Sequence, residues 1–325
     1  MEGQEHDRLG TAYRRFAEDE ARGKSPLYEA LAHGVAADDA ILDFLLTLPR
    51  GKRQPNLLFA AVRYLCGTPD RLDEFRRSVL ENGTALRALL RERSTQTNEP
   101  GRCAALLPVL AGLPQPLALL EVGASAGLCL LPDCYGYDYG GRVLQPEPGV
   151  SAPPVFPCAA TPATPIPQAV PQIAWRAGLD LDPVDLSDTD QVAWLEALVW
   201  PEQTERLARL RAAMTIAAAQ KPRVVRGDLR RDLARLAAEM PTDATRVIFH
   251  TAVLAYVASS EERAEFARAV ASLCDVWISN EAPRLFPDIA ARAGAPAPPG
   301  NFLMAVNGMP MAWADPHGAA LEWIA

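Results

Sequence analysis

Apolar residues along the first hundred positions recur at helical spacing, and no stretch alternates as a half-buried strand would. Ser25-Pro26 reads as an N-cap followed by proline in the first turn, after which Leu27, Leu31 and Val35 share one face. Ile41 to Leu48 stays apolar as far as Pro49. Pro55 opens a further helix carrying Leu58, Ala61, Val62 and Leu65, and Gly67 is placed to close it. Leu72, Phe75 and Val79 mark a fourth, ending at Asn82-Gly83. With no strand pattern before about residue 117, residues 1–100 are expected to form a helical N-terminal region.

From residue 117 apolar runs alternate with amphipathic stretches, the pattern of an α/β domain with a mostly parallel sheet. The runs predict strands at 117–122, 173–179, 224–227, 246–250 and 276–279, with helical stretches at 188–220, 230–240 and 259–273 between them. Ser259 and Glu262 fit a capping box at the start of the last helix. The pattern then turns antiparallel: 302–306, Asn307-Gly308, 309–313, a strong hairpin signal, with a final strand at 321–324. One segment interrupts the alternation. Residues 132–171 hold ten prolines and no sustained period, so an irregular insertion is expected there, either a lid or an unstructured excursion, within a domain spanning 101–325.

Composition narrows the classes of function. Apolar residues make up 49% and charged residues 22%, ordinary for a globular chain, and the net charge of −8 comes with scattered Lys and Arg. A nucleic-acid partner needs a dense positive face and is not expected. The apolar runs are too broken for a membrane span, and the charged N-terminus lacks the apolar core of a secretory signal. Six cysteines without a C-x-x-C pair and four histidines leave little for a metal site, so none is expected, and a cytoplasmic location follows from this reading.

The segment Glu121-Val-Gly-Ala-Ser-Ala-Gly127 admits two chemistries. Gly123 to Gly127 matches G-x-S-x-G, the elbow that exposes a nucleophilic serine in α/β-hydrolases, and Ser125, Asp228 or Asp275, and His317 could supply a triad. Against this, everything upstream is helical, no oxyanion-loop segment precedes it, and Glu121 interrupts the apolar strand. Read instead as a cofactor turn, Gly123 and Gly127 permit close approach of a ligand, and the N–H groups of the turn and helix start would face a carboxylate or phosphate. Gly123→Val is expected to fill that space and leave the fold largely intact. Asp180 and Asp228 follow the next two strands, on the edge where open α/β sheets bind ligands. Asp180 would accept from ribose hydroxyls and Asp228 from an adenine amino group. Each acid also has a local reading: Glu121 as a paired buried carboxylate, Asp180 as a turn residue, Asp228 as an N-cap.

Together with Gly178-Leu-Asp-Leu-Asp-Pro183, Gly227-Asp228 and the Asn-Gly hairpin, this segment resembles class I S-adenosylmethionine-dependent methyltransferases. More closely, the chain resembles the bacterial DUF2332 family along nearly its whole length, through Gln96–Arg102 (QTNEPGR), Trp194–Pro201, Val247–Tyr256 and Asp315–Gly318 (DPHG). The resemblance implies a Rossmann-like methyltransferase sheet that binds S-adenosyl-L-methionine. Glu121, Gly123, Ser125 and Gly127 would surround its methionine part, with Asp180 at the ribose and Asp228 near the adenine. Two departures stand out: the long separation of Gly127 from Asp180, and Pro132, which cuts short the helix after the turn.

In such folds the position after the fourth strand faces the transferred methyl. Here it holds His250, the candidate general base, with Tyr256 nearby as a second catalytic candidate. A hydrogen-bonded structural histidine is the other reading of His250. Gln96, Asn98, Glu99 and Arg102 form a polar cluster suited to cap the pocket or hold a polar substrate. The expected activity is methyl transfer to a small molecule. Serine hydrolysis at Ser125 and non-catalytic binding are the alternatives.

Overall fold

The computed structural model describes residues 2–96, 98–146, 149–294 and 296–325. The chain divides into two compact units, Met1–Thr97 with Asp188–Ala208, and Asn98–Ser187 with Arg209–Ala325.

The first unit is helical. It contains α1 (Glu2–Arg15), α2 (Pro26–Val35), α3 (Asp39–Leu46), α4 (Pro55–Cys66), α5 (Leu72–Glu81) and α6 (Gly83–Glu92). Its caps follow sequence chemistry. Ser25 Oγ accepts from the Tyr28 N–H at 3.1 Å, Asp38 accepts from Ile41 N–H, and Gly67 closes α4 at φ +84°. Asn82-Gly83, expected to end a helix, also starts the next. Phe59 centres the core, its ring 4.7–6.2 Å from those of Tyr13, Phe16, Tyr28 and Phe75. After α7 (Arg102–Gly112), which belongs to the second unit, α8 (Thr189–Ala197) returns to the helical one. The sequence pattern made 188–220 a single helical link between strands. Pro201 breaks it before α9 (Thr204–Gln220), and buried Trp194 and half-buried Trp200 join the helical core.

The second unit is a mixed α/β structure around a nine-stranded, mostly parallel sheet. In chain order its strands are β1 (Leu117–Val122), β2 (Gly136–Asp138), β3 (Val143–Leu144), β4 (Val155–Pro157), β5 (Ala159–Ala160), β6 (Ile173–Asp180), β7 (Arg223–Arg226), β8 (Thr245–Thr251), β9 (Val276–Glu281), β10 (Phe302–Val306), β11 (Met309–Ala314) and β12 (Ala320–Trp323). The large sheet runs β5-β12-β11-β10-β9-β8-β1-β6-β7, and β7, β6, β1, β8 and β9 are mutually parallel. Counted among themselves these five follow the order 3-2-1-4-5, so succession reverses between β1 and β8. That is where open sheets of this kind leave a crevice at the carboxyl ends of their strands. All six residues of β1 are buried, as a strand covered on both faces requires.

One face packs Leu120, Ile248, Trp277 and Trp313 against α10 (Leu233–Ala237), α11 (Ser260–Val270) and α12 (Pro287–Ala290). Ser259 caps α11 through the Glu262 N–H, but the Glu262 carboxylate turns to Arg230 at 3.0 Å, so only half of the capping box forms. The hairpin is as expected: Asn307 and Gly308 both take positive φ, 47° and 75°, as a type I′ turn requires.

The proline-rich segment is more ordered than its composition suggests. β2, β3 and β4 pair into a small sheet, and β5 adds to the edge of the large one beside β12. Three buried tyrosines pin it: Tyr135 donates to Leu128 O at 2.9 Å, Tyr137 to Pro132 O at 2.6 Å and Tyr139 to Ala104 O at 2.6 Å. Strands of two or three residues between prolines carry no period for a sequence reading to detect. Within the segment, Glu147 and Pro148 lie outside the described residues.

Candidate functional site

The turn after β1 sits at the reversal point, held by residues from three directions. Gly123 takes φ +76°, Ser125 +49° and Gly127 +71°. Gly123 and Ala124 donate their N–H groups to Leu179 O at 2.7 and 3.3 Å, and Gly127 donates to Ala124 O at 2.6 Å. Ser125 N–H goes to Asp180 Oδ2 at 2.8 Å, and Ala126 N–H to Asn98 Oδ1 at 2.9 Å. All five N–H groups of the turn therefore have partners inside the protein. The expectation that they face a ligand anion is corrected, and so is the expected helix start: two 3₁₀ turns, Leu128–Leu130 and Pro132–Cys134, follow in its place. Proline at 132 has no N–H to continue an α-helical ladder.

Gly123 also plays a different part from the one expected. A Cβ there would lie 1.9 Å from Val253 Cγ2, so the space beside it is already filled. Gly123→Val would disturb the turn after β8 and would not be a clean test of ligand binding.

The polar cluster before β1 fastens this turn from below. Asn98 donates from Nδ2 to Ser125 Oγ at 2.7 Å while its Oδ1 takes the Ala126 N–H. Glu99 folds back to accept the Gly101 N–H at 3.0 Å. Arg102, 5% exposed, donates from Nε to Pro316 O at 2.8 Å and from Nη1 to Thr251 O and Oγ1 at 3.2 and 3.3 Å. Through these contacts Asn98, Glu99 and Arg102 brace the segment beside the turn. Gln96 falls in the helical unit, and Thr97 lies outside the described residues.

Two acids remain at the strand ends. Asp180 is half-buried; Oδ2 holds Ser125 and Oδ1 accepts from Asp182 N–H at 2.8 Å, leaving further lone pairs on both oxygens. Glu121 is 4% exposed, and its Oε2 is buried with no partner among the described residues. Burial pushes its carboxyl well above the usual range, with Cys129 and Asp180 adding to the rise and Arg102 opposing it. A folded-state value raised above the unfolded one means stability that is present at low pH and lost as pH rises through the folded value. Glu121→Gln should therefore remove part of the fall in melting temperature seen on going from mildly acidic to alkaline buffer. Identical pH profiles for the two proteins would contradict a Glu121 carboxyl raised by burial.

Two other expected site residues have partners inside the protein. Asp228 is bound on both carboxylate oxygens by Arg230, through Nε at 2.9 Å and Nη2 at 2.6 Å, and the Arg230 backbone N–H adds a third contact at 2.9 Å. The hydrogen-bonded guanidinium holds its carboxyl down to about 2. The helix expected near Leu229 begins later, as α10, with Asp232 at its N-cap. His250 is wholly buried on the α11 side, the face opposite Glu121. Its Nε2 accepts the Trp277 indole N–H at 3.0 Å, which fixes the tautomer so that Nδ1–H donates to Glu281 Oε1 at 2.7 Å. Both ring nitrogens of His250 are thus engaged inside the protein. Tyr256, 70% exposed, lies in the 3₁₀ turn Leu254–Tyr256 beyond β8, where its N–H donates to Val253 O at 3.0 Å.

Ser125 shares a positive φ with hydrolase elbows, but its hydroxyl accepts from Asn98, no histidine bonds it among the described residues, and no α-helix follows.

What sequence reasoning missed lies at the end of β9. The strand expected to end at Ser279 runs on through Asn280 and Glu281, and all three residues are within the sheet and at most 3% exposed. The close approach of Gly101 and Gly318 was equally invisible: a Cβ on Gly318 would stand 2.0 Å from Gly101 O. Through it the Asp315–Gly318 turn seats against Asn98–Arg102, so stretches far apart in the chain converge on one place.

Both stretches lie within the part of the chain that matches a known family. A family model described as an uncharacterized protein conserved in bacteria, DUF2332, matches residues 10–323. The chain belongs to the DUF2332 family. No curated protein and no solved structure matches it. Among the described residues of this DUF2332 chain, no helix is long and apolar enough to cross a membrane, and no group of three or more His, Cys, Asp and Glu is arranged to hold a metal ion.

Proposed function

We propose that this chain is an S-adenosylmethionine-dependent methyltransferase acting on a small molecule, with the parallel part of its sheet serving as a Rossmann-like cofactor frame. One observation carries the reading: at the reversal point the chain presents two acids, while every N–H of the glycine turn is already bonded. A pyrophosphate-bearing dinucleotide needs those free donors and would meet carboxyl groups instead. A cofactor with a cationic sulfonium, an ammonium and no phosphate suits the opposite arrangement.

The fit can be stated residue by residue. Asp180 keeps acceptor capacity for ribose hydroxyls. Glu121 Oε2, buried without a partner among the described residues, suits the ammonium of the methionine part. Gly123, Ser125 and Gly127 shape the turn, and Asn98 fixes it. When bound, the cofactor supplies an electrophilic methyl group. The chain's own contribution is alignment and exclusion of water, which suffices when the acceptor arrives unprotonated. With His250 tied into the opposite face, no general base is assigned.

A panel of nucleotides tests the choice. S-adenosylhomocysteine at millimolar concentration should raise the melting temperature of the full chain, while NAD and ADP should leave it unchanged. Stabilisation by NAD and not by S-adenosylhomocysteine would reverse the reading toward a phosphate-bearing cofactor.

A further inference from the structure

Asn280 is 0% exposed, and among the described residues neither its Nδ2 nor its Oδ1 has a hydrogen-bond partner. A buried carboxamide with both ends unsatisfied is rare in folded proteins, where such groups are nearly always paired. Its backbone is fully ordinary: it lies within β9, in register with Thr251 of β8 and Met304 of β10, and its carbonyl accepts the Ala252 N–H at 3.1 Å. The cost is carried by the side chain alone.

Register shows what surrounds it. Parallel partners point to one face, so Asn280 shares a face with Thr251, and Thr251 with Phe249 and Glu121. This is the side on which Arg102 reaches Thr251 Oγ1 from α7. The opposite face is closed by α10, α11 and α12. Asn280 therefore lies near the carboxyl ends of the parallel strands, on the same face as another unsatisfied buried oxygen, Glu121 Oε2.

We propose that Asn280 is the recognition residue of a ligand subsite next to Thr251, one that takes a small molecule presenting a hydrogen-bond donor beside an acceptor, as a carboxamide or a lactam does. The side chain offers one donor and one acceptor side by side. A carboxylate ligand answers Nδ2 and leaves Oδ1 facing negative charge. An ammonium answers Oδ1 and leaves Nδ2 unbonded. Only a group with both functions satisfies both ends, and in a desolvated site leaving either unpaired weakens binding strongly. The inference adds a substrate-side contact to the proposed function but does not depend on the identity of the cofactor.

Benzamide, benzoate and benzylamine form a matched series that separates these cases. In ligand-observed NMR titrations of the full chain, benzamide should bind at least tenfold more tightly than the other two. Saturating S-adenosylhomocysteine should not displace it. Asn280→Leu removes both unsatisfied atoms at similar volume, so benzamide binding should fall at least tenfold. The melting temperature of the unliganded variant should hold or rise by about 2–4 °C, the shift that accompanies a stability gain of the size of one buried hydrogen bond. Should the variant fail to fold, the ligand series on the natural chain and a crystal structure with benzamide still decide the matter. Equal binding of the three ligands, or an ordered water as the sole partner of Asn280, overturns the proposal. Benzamide selectivity that follows Asn280 while S-adenosylhomocysteine fails to bind would sink the cofactor reading and leave this subsite standing.

Discussion

Glu281→Ala is expected to cost about 3–5 kcal/mol of stability, the range for removing one member of a buried, hydrogen-bonded pair. Glu281 Oε1 accepts from His250 Nδ1 at 2.7 Å, Val253 N–H at 2.9 Å and Leu254 N–H at 3.1 Å, all from a residue 2% exposed. Alanine would strand three buried donors at once. Because Val253 packs on Gly123, the loss should spread to the glycine turn. Glu281→Gln keeps an acceptor for the two backbone donors and should lose clearly less. His250→Gln belongs to the same network and should lower the melting temperature as well. Chemical denaturation of the three variants measures this. If Glu281→Ala unfolds within about 1 kcal/mol of the natural chain, the network is not holding the turn after β8.

Gly318→Ala is the second large effect. Gly318 takes φ +81°, and an added Cβ would stand 2.0 Å from Gly101 O and 2.4 Å from Gly101 C, both backbone atoms that cannot rotate away. Strain of about 1–2 kcal/mol for a left-handed non-glycine residue adds to about 1–3 kcal/mol for overpacking. The displaced segment contains Asn98 and Arg102, so the glycine turn should loosen too. The expected reading is a markedly lower denaturation midpoint together with faster amide exchange at Ser125 and Ala126. Gly300→Ala is the control, since its φ of +79° carries the same backbone strain with nothing within 4 Å of the added atom.

The two glycines show where sequence reading runs out. Helices and strands came through because their signals are local: Ser25-Pro26, the apolar run of β1 and Asn307-Gly308 each specify their own neighbourhood. The glycine turn was legible as a turn for the same reason. Its hydrogen bonds were not, because Asn98 and Asp180 reach it from 27 and 55 residues away. His250 drew attention as an imidazole at a strand end, yet its role depends on Trp277 and Glu281, which only the β8–β9 register brings alongside. The ion pair of Asp228 is local yet left no pattern: Arg230 is two residues away, and its guanidinium folds back onto the carboxylate. The strand was expected to stop at Ser279 because polar residues seldom enter a buried sheet; Asn280 and Glu281 continue it nonetheless.

The central claim is that the acids at the reversal point hold S-adenosylmethionine. Calorimetric titration of S-adenosylhomocysteine into the natural chain and into Asp180→Ala tests it most directly. Saturable one-to-one binding is expected in the first. In the second the affinity should fall by roughly tenfold or more, the loss that goes with about 1.4 kcal/mol or more of charge-assisted hydrogen bonding. Circular dichroism should show the variant still folded, since Asp180 contributes two backbone contacts and no core packing. No heat of binding in the natural chain, or equal affinity in the two, would contradict the account.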